Sequence, residues 1–114
     1  MKHAHISDLS LAEAASTFAA LGSEQRLSVL RSLVRAGPDG LSIGELGKRT
    51  GISGSTLTHH MKILTQAGLV SQIKQGRSII CVAAAFEEMK SLSAFLLSEC
   101  CADSDTKHED HDHG

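Results

Sequence analysis

Hydrophobic residues recur at helical spacing in five segments of the chain, and two short apolar runs separate the fourth segment from the fifth. The periodicity predicts helices over residues 9–21, 23–36, 42–50, 53–66 and from 85 to 99 or 101. Ser42 with Glu45 three residues later fits a capping box at the start of the third helix. Ser53 can cap the fourth helix, and Gly68 follows its end as a residue of left-handed conformation.

The two apolar runs indicate a β-hairpin. Residues 69–73 and 78–82 have strand character, and Gln75-Gly76-Arg77 between them is typical of a tight turn. Two short helices joined by the glycine-containing turn 51–53 and followed by a hairpin make a winged helix-turn-helix. The predicted fold class is therefore mainly α with a small β-hairpin. A domain this small with apolar helices at both ends has surface that it cannot bury alone, so the expected fold is dimeric through its terminal helices.

The fourth helix carries two different stripes. Leu57, Met61 and Leu64 follow i, i+4, i+7 spacing and are expected to face the core. A second, polar stripe follows i, i+3, i+4, i+7 spacing and consists of Ser55, Thr58, His59 and Lys62. It is cationic at one end, and such groups can address base edges and phosphates in a major groove. The candidate DNA-binding residues are Ser53, Ser55, Thr56, Thr58, His59 and Lys62 in this helix and Lys74 and Arg77 in the hairpin. The alternatives are a solvated helix face and, for Arg77, an exposed turn residue.

The charge distribution favours a polyanionic partner. The net charge of −2 over 114 residues combines a body of +2 (residues 1–101) with a tail of −4 (residues 102–114). No acid lies between Glu45 and Glu87, whereas this interval contains five lysines and arginines. Tryptophan and tyrosine are absent, which weakens any interpretation that needs stacking platforms for single-stranded nucleic acid.

Length and composition suit one small domain. We expect a flexible N-terminus at 1–8, a winged helix-turn-helix domain for DNA binding and dimerisation at 9–101, and a disordered, acidic, His-rich tail at 102–114. No apolar stretch is long enough to span a membrane, so no membrane partner and a cytoplasmic location are expected. The sequence shows no set of nucleophile, general base and orienting residue of the kind that hydrolases use, and no phosphate-binding loop. Their absence argues against an enzyme.

The segment from Gly51 to Leu64, followed by Ala67-Gly68-Leu69-Val70, resembles the ArsR family of bacterial metal-responsive repressors. The Thr-His-His-Met-Lys-Ile-Leu core of the fourth helix carries this resemblance, together with the Leu-Gly-Ser-Glu-Gln-Arg-Leu entry to the second helix. The resemblance covers about residues 9–101. It implies a homodimer joined through the first and last helices, double-stranded operator DNA as partner, and repression relieved by an inducer.

Cys100 and Cys101 form an adjacent thiol pair at the predicted end of the last helix. Adjacent Cα atoms are about 3.8 Å apart, shorter than the usual disulfide span, so a bond between the two would be strained. Two thiolates on one soft, large ion are less demanding. The alternative is that both are small hydrophobes ending a helix.

The stretch Phe95-Leu96-Leu97-Ser98-Glu99-Cys100-Cys101 is similar to the arsenic- and antimony-responsive ArsR members, which implies As(III) or Sb(III), or another thiophilic ion, as inducer. Lys107 and His108 occupy the region where such members commonly carry a third cysteine. Cys81, a tail histidine and solvent remain open as third ligand, although a cysteine in an apolar strand is more often part of the core.

Other functions remain open from the sequence. The tail His108-Glu109-Asp110-His111-Asp112-His113 has donors suited to zinc, nickel or copper, but such tails are also common solvated sequence. A repressor responding to cadmium, lead or zinc and a thiol redox or persulfide sensor are therefore alternatives. A metal-sequestering protein is a different class, and it would need no operator.

Overall fold

Five helices and three short strands make up residues 9–104, the part of the chain that the computed structural model describes. The elements are α1 (Leu11–Ala20), α2 (Glu24–Ala36), β1 (Leu41–Ser42), α3 (Ile43–Thr50), α4 (Gly54–Gln66), β2 (Val70–Gln75), β3 (Ser78–Ala83) and α5 (Phe86–Leu97). A single 3₁₀ turn, Gly37–Asp39, connects α2 to β1. The predicted helices and hairpin are confirmed, and no bound differs from its predicted position by more than four residues.

Serine side chains begin the first three helices because their hydroxyls satisfy backbone N–H groups that the helix cannot. Ser10 Oγ accepts from Glu13 N at 3.1 Å, and Glu13 Oε1 accepts in return from Ser10 N at 3.0 Å. The predicted capping box of Ser42 with Glu45 is present at the start of α3. Local sequence thus determines where these helices start.

The three strands form one antiparallel sheet in the order β1-β3-β2. β2 and β3 are the predicted hairpin, and Gly76 at its turn has a φ of 61°. β1 was not predicted: only two residues long, it pairs Leu41 with Cys81 and Ser42 with Ile80. The extra strand ties the start of α3 to the base of the hairpin.

The core lies where α2, α3, α4 and the sheet meet. As the spacing predicts, Leu57, Met61 and Leu64 of α4 are buried, each no more than 1% exposed. They belong to one cluster with side chains from every neighbouring element, including Val29, Leu33, Leu46, Leu69 and Cys81. The position of α4 is therefore fixed from one side by packing.

The last helix is shorter than its periodicity indicates. It ends at Leu97, not at Glu99 or Cys101. Ser98 leaves the helical region at φ −60° and ψ 139°, and its hydroxyl donates to Phe95 O at 3.0 Å. Glu99 and Cys101 then take positive φ values of 62° and 67°. The thiol pair therefore lies in this turn, beyond the helix.

The predicted N-terminal segment 1–8 and most of the predicted tail 102–114 lie outside the described residues.

The close approach of Gly40 to the sheet gives a stability prediction. Gly40 has φ +68° and ψ −166°, and a Cβ there would overlap the carbonyl oxygen of Cys81. We expect Gly40→Ala to lower the free energy of unfolding by about 2–4 kcal/mol, since both the backbone and the contact become unfavourable. Urea denaturation measures this change.

Gly51→Ala is the control for a positive φ without a steric contact. Gly51 also has a positive φ, +73°, but nothing lies within 4 Å of an added Cβ. It is expected to cost about 1 kcal/mol, the backbone contribution alone. Equal losses in the two variants would contradict the contact with Cys81.

Candidate nucleic-acid interface and thiol pair

The polar stripe predicted on α4 is exposed. The six candidate residues in this region are all at the surface: Ser53, Ser55, Thr56, Thr58, His59 and Lys62. Their exposure follows from the burial of Leu57, Met61 and Leu64, because the periodicity of a helix turns the intervening positions outward. The hairpin candidates Lys74 and Arg77 are exposed as well.

The N-terminus of α4 has no side-chain cap. Ser53 occupies the N-cap position, as predicted, but its hydroxyl donates to Thr56 Oγ1 at 3.2 Å instead of accepting from the helix backbone. The expectation that its side chain caps the helix is therefore wrong. No acid lies in the first turn of α4. The exposed amides of this end suit an anionic partner such as a phosphate.

The hydroxyl of Thr58 already donates a hydrogen bond within α4. Thr58 Oγ1 donates to Gly54 O at 2.9 Å, a bond one helical turn back along the backbone. Because its single proton is used in this bond, Thr58 can offer an outside partner only an acceptor oxygen and a methyl group. Lys62, one turn further along, supplies the donor and the positive charge.

A groove runs between α4 and the hairpin. Thr58 and Lys62 line it from the helix, and Arg77 lines it from the hairpin turn. The remaining lining residues are Ile43, Thr65, Gln66, Gln72 and Ile79. The structure therefore brings three of the predicted residues onto one surface; Ser53, Ser55, Thr56, His59 and Lys74 are exposed but do not line this groove.

Three polar residues of this groove were missed in the sequence. Thr58, Lys62 and Thr65 follow i, i+4, i+7 spacing, so the stripe continues one turn beyond Lys62, and Gln66 lies next to it. Gln72 alternates with Lys74 on one face of β2. Both signals were present in the sequence as continuations of predicted patterns.

The burial of His60 was not predicted from the sequence. It is only 7% exposed, although it lies in a polar sequence. Its Nε2 lies 2.9 Å from Gln25 Oε1, and its Nδ1 lies 3.4 Å from an Arg26 guanidinium nitrogen. Its neighbour His59 is exposed. The two adjacent histidines face different surroundings, as the angle between successive helical positions predicts, and this arrangement does not favour joint chelation.

The signal for His60 was its spacing. It lies three residues after Leu57 and four before Leu64, within the buried stripe of α4. Burial and the neighbouring Arg26 charge lower the pKa of His60 below its ordinary value. Both effects favour the neutral form of the imidazole at its place against α2.

The thiols of Cys100 and Cys101 lie in contact at the surface, with their sulfurs 3.0 Å apart. The hydrogen bond that Cys101 shares with Cys100, together with the negative charge of a Cys100 thiolate, favours the protonated form of Cys101 and raises the pKa of its thiol. Both thiols are free and accessible, so a thiophilic ion can reach both sulfurs by displacing their protons.

Cys81 lies elsewhere. It is fully buried in β3, and burial raises the pKa of its thiol. Within residues 9–104, no three histidine, cysteine or acidic side chains lie together in a way that could hold a metal ion. Cys81 therefore does not complete a three-ligand site with the pair in one chain. The tail donors His108, Glu109, Asp110, His111, Asp112 and His113 lie outside the described residues.

A helix-turn-helix whose second helix is exposed along a polar stripe, followed by an antiparallel hairpin, defines a winged helix-turn-helix protein. Comparison with known proteins agrees. A family profile described as a helix-turn-helix domain matches residues 21–73. Among residues 9–104 there is no helix long and apolar enough to cross a membrane.

Two curated relatives are transcriptional regulators. YceK of Bacillus subtilis, an uncharacterized HTH-type transcriptional regulator, is 39% identical over 64 residues, which cover 56% of this chain and 63% of the relative. The HTH-type transcriptional regulator NmtR of Mycobacterium tuberculosis is 38% identical over 69 residues, which cover 60% of this chain and 55% of the relative. The chain thus spans less than two thirds of the length of these relatives.

A solved structure extends the similarity to most of the chain. The ArsR-like transcriptional regulator from Rhodococcus sp. RHA1 is 34% identical, with a TM-score of 0.67, and the match covers 82% of this chain and 84% of that one. The chain belongs to the ArsR-like family of transcriptional regulators. Its relatives are regulators and not enzymes, in agreement with the expectation from the sequence.

The different surroundings of the three cysteines predict different reactivities. Cys100 and Cys101 are exposed and Cys81 is fully buried, so two thiols of the native chain should react with iodoacetamide and the third only after unfolding. Because the raised pKa of Cys101 disfavours its thiolate, alkylation of Cys101 should accelerate as the pH rises from neutral.

Mass spectrometry of tryptic peptides measures which thiols are modified. Cys81→Ala is the control, and it should leave the number of native-state adducts unchanged. Rapid alkylation of Cys81 in the native protein would contradict its burial.

Proposed function

We propose that this protein is a DNA-binding transcriptional repressor that is released from its operator when As(III) or Sb(III) binds the thiols of Cys100 and Cys101. The observation that carries this proposal is the free, exposed thiol pair with a sulfur–sulfur distance of 3.0 Å in a chain of this regulator family. The proposal has three parts: a DNA-binding surface, a dimer and an inducer site.

The DNA-binding surface is the exposed side of α4 with the hairpin. The polar stripe on α4 supplies donors and acceptors for base edges in a major groove, and the uncapped end of the helix suits a phosphate. Arg77 lines the same groove from the hairpin and can contact the DNA backbone or minor groove. Lys74 supplies a further phosphate contact.

A homodimer accounts for the apolar surface on the terminal helices. Leu11 of α1 is 78% exposed, and Phe86, Leu96 and Leu97 of α5 are 68–74% exposed. Large apolar side chains exposed to this extent on two terminal helices are candidates for coverage by another surface. A second copy joined through α1 and α5 would bury them, and it would place two copies of α4 against successive major grooves.

The thiol pair supplies two ligands for the inducer. Arsenous acid, As(OH)₃, condenses with two thiols to form two As–S bonds and release two waters, with each thiol proton leaving on a hydroxide of the acid. Soft thiolate sulfur prefers ions of this kind to hard cations. The third position on arsenic then holds a hydroxide, or a ligand from outside residues 9–104.

Release of DNA requires coupling between the two sites. The thiol pair follows α5, a helix of the proposed dimer interface, and it is separate from α4. The inducer weakens DNA binding only if it binds the DNA-incompetent dimer more tightly than the competent one. By the same linkage, bound operator must weaken the affinity for the inducer.

Substitutions in the groove test the DNA-binding surface. The probe is a duplex that the wild-type protein selects from a random-sequence library. Lys62→Ala should weaken binding and lower the slope of log affinity against log salt by about one, because one phosphate contact is lost. Arg77→Ala should do the same, and Thr58→Ala should change base preference by about 1–3 kcal/mol.

Arg31→Ala is the matched control for Arg77→Ala. Arg31 is an exposed arginine on α2 that does not line the groove. Its loss should leave the salt slope unchanged, as fluorescence anisotropy over a salt series can measure. Unchanged affinity in all three groove variants would contradict the assignment of α4, and failure to select any duplex would leave a metal-sequestering protein as the function.

Removal of the thiol pair tests the inducer site. The double variant Cys100→Ser/Cys101→Ser should bind the selected duplex as wild type does, but arsenite should no longer release it. Anisotropy titrations with arsenite, antimonite, cadmium and zinc measure the release. Cys81→Ala is the matched control, and it should keep the wild-type response because Cys81 is buried.

Other outcomes of these titrations identify the alternatives. Release of the double variant at the wild-type arsenite concentration would overturn the proposal. Release by cadmium or zinc that is lost on deletion of residues 103–114 would indicate a sensor that uses the tail. Release by polysulfide, with no response to arsenite, would indicate a thiol redox or persulfide sensor.

A further inference from the structure

A polar bridge links α4 to the helices behind it. The bridge consists of Gln25 and Arg26 in the first turn of α2 and His60 on α4. Arg26 Nε also donates to the carbonyl oxygen of Ala20, the last residue of α1, at 2.6 Å. One guanidinium therefore connects the end of α1 with the buried side of the helix that carries the polar stripe.

The partners of His60 determine which ring nitrogen carries its proton. A guanidinium has only donors, so His60 Nδ1 must accept from Arg26. The proton then lies on Nε2, which donates to Gln25 Oε1 at 2.9 Å. Both ring nitrogens have partners only while the imidazole is neutral.

A second proton would break this arrangement. It would bind at Nδ1, where it would face the half-buried Arg26 guanidinium, so two donors and two positive charges would meet beside an imidazole that is only 7% exposed. The charged or titratable groups acting on His60 are Arg26 on α2 and His59 on α4, and neither is an acid that could compensate. Protonation must therefore push the two side chains apart or expose them.

The bridge lies directly behind the proposed DNA-binding surface, so protonation of His60 can affect DNA binding. His60 follows directly after His59 and lies two residues before Lys62, both on the exposed stripe. The two contacts of His60 hold α4 to α2 at the level of the stripe, and small displacements of a positioned group weaken its contacts strongly.

We propose that the bridge of Gln25, Arg26 and His60 positions α4 for DNA binding, and that a proton on His60 Nδ1 disconnects it and weakens binding in mild acid. His60 is a positioning residue and does not itself contact DNA. This inference rests on the proposed DNA-binding function.

The pH dependence of binding is the first test. The probe is the duplex selected by the wild-type protein, compared by anisotropy between about pH 7.5 and about pH 5.5, where histidine titrates. Wild-type affinity should fall by up to about tenfold for each pH unit below the pKa of His60. In His60→Asn, the amide oxygen can replace Nδ1 as acceptor for Arg26 but cannot be protonated, so this loss should disappear.

Arg26→Lys is the second test, and it does not depend on pH. A lysine keeps the charge, but its single ammonium cannot span Ala20 O and His60 Nδ1 together. Affinity at about pH 7.5 should fall by about fivefold, whereas the matched control Arg31→Lys, on the exposed side of α2, should show no loss. Equal affinities for both variants, or a wild-type pH profile in His60→Asn, would overturn the inference.

A measurement without DNA separates this inference from the proposed function. The lowered pKa of His60 means that the unfolded chain takes up this proton at a higher pH than the folded chain does. The contribution of His60 to the free energy of unfolding should therefore be fully present above about pH 6.5 and fall as the pH drops below it. In urea denaturation of His60→Asn, the number of protons taken up on unfolding in this pH range should be lower by up to one than in the wild type. If no duplex is selected, the proposed function fails, and the bridge is then tested only by the difference in pH-dependent stability between the wild type and His60→Asn. Identical pH dependences of the two proteins would overturn the bridge.

Discussion

Burial of one face of α4 is the constraint on which the rest of the structure depends. Leu57, Met61 and Leu64 are almost completely withdrawn from solvent, and each contributes about 1.5–3 kcal/mol by leaving water. With these three side chains fixed in the core, the opposite positions of the helix have to face outward. The polar stripe is therefore a consequence of packing, and its chemistry could change without disturbing the fold.

The hairpin and α3 support this arrangement from either side. The two-residue strand β1 pairs with β3, so the start of α3 and the base of the hairpin are held to one sheet. Lys62 and Arg77, on different elements, thereby line the same groove. The thiol pair lies outside this unit, in the turn after α5, where binding of an ion can occur without disruption of the core.

Features that leave a signal in the residue pattern could be predicted from the sequence, whereas those set by distant strand pairing or by local backbone and side-chain geometry could not. The capping box of Ser42 and Glu45 needs residues only three apart, and the buried face of α4 follows from its own periodicity. β1 escaped prediction because its stability comes from pairing with a strand about forty residues later. The end of α5 at Leu97 also escaped, since no glycine or proline marks it and Ser98 ends the helix through its backbone conformation.

The candidate site divides in the same way. The exposed groups Thr58, Lys62 and Arg77 were predictable from spacing and charge, and so was the presence of a thiol pair. The sequence did not predict that the hydroxyls of Ser53 and Thr58 donate hydrogen bonds within the chain, or which groups His60 contacts. These contacts depend on side-chain geometry, which a residue pattern does not contain. The distance between the two sulfurs is of this second kind.

Simultaneous observation of both proposed sites tests the central claim most directly. Arsenite is added in small portions to the complex of the protein with its selected duplex, while anisotropy reports bound DNA and ultraviolet absorbance reports As–S bond formation. The two signals should change together, with one arsenic per pair of Cys100 and Cys101. Complete formation of As–S bonds while the DNA stays bound would contradict the account.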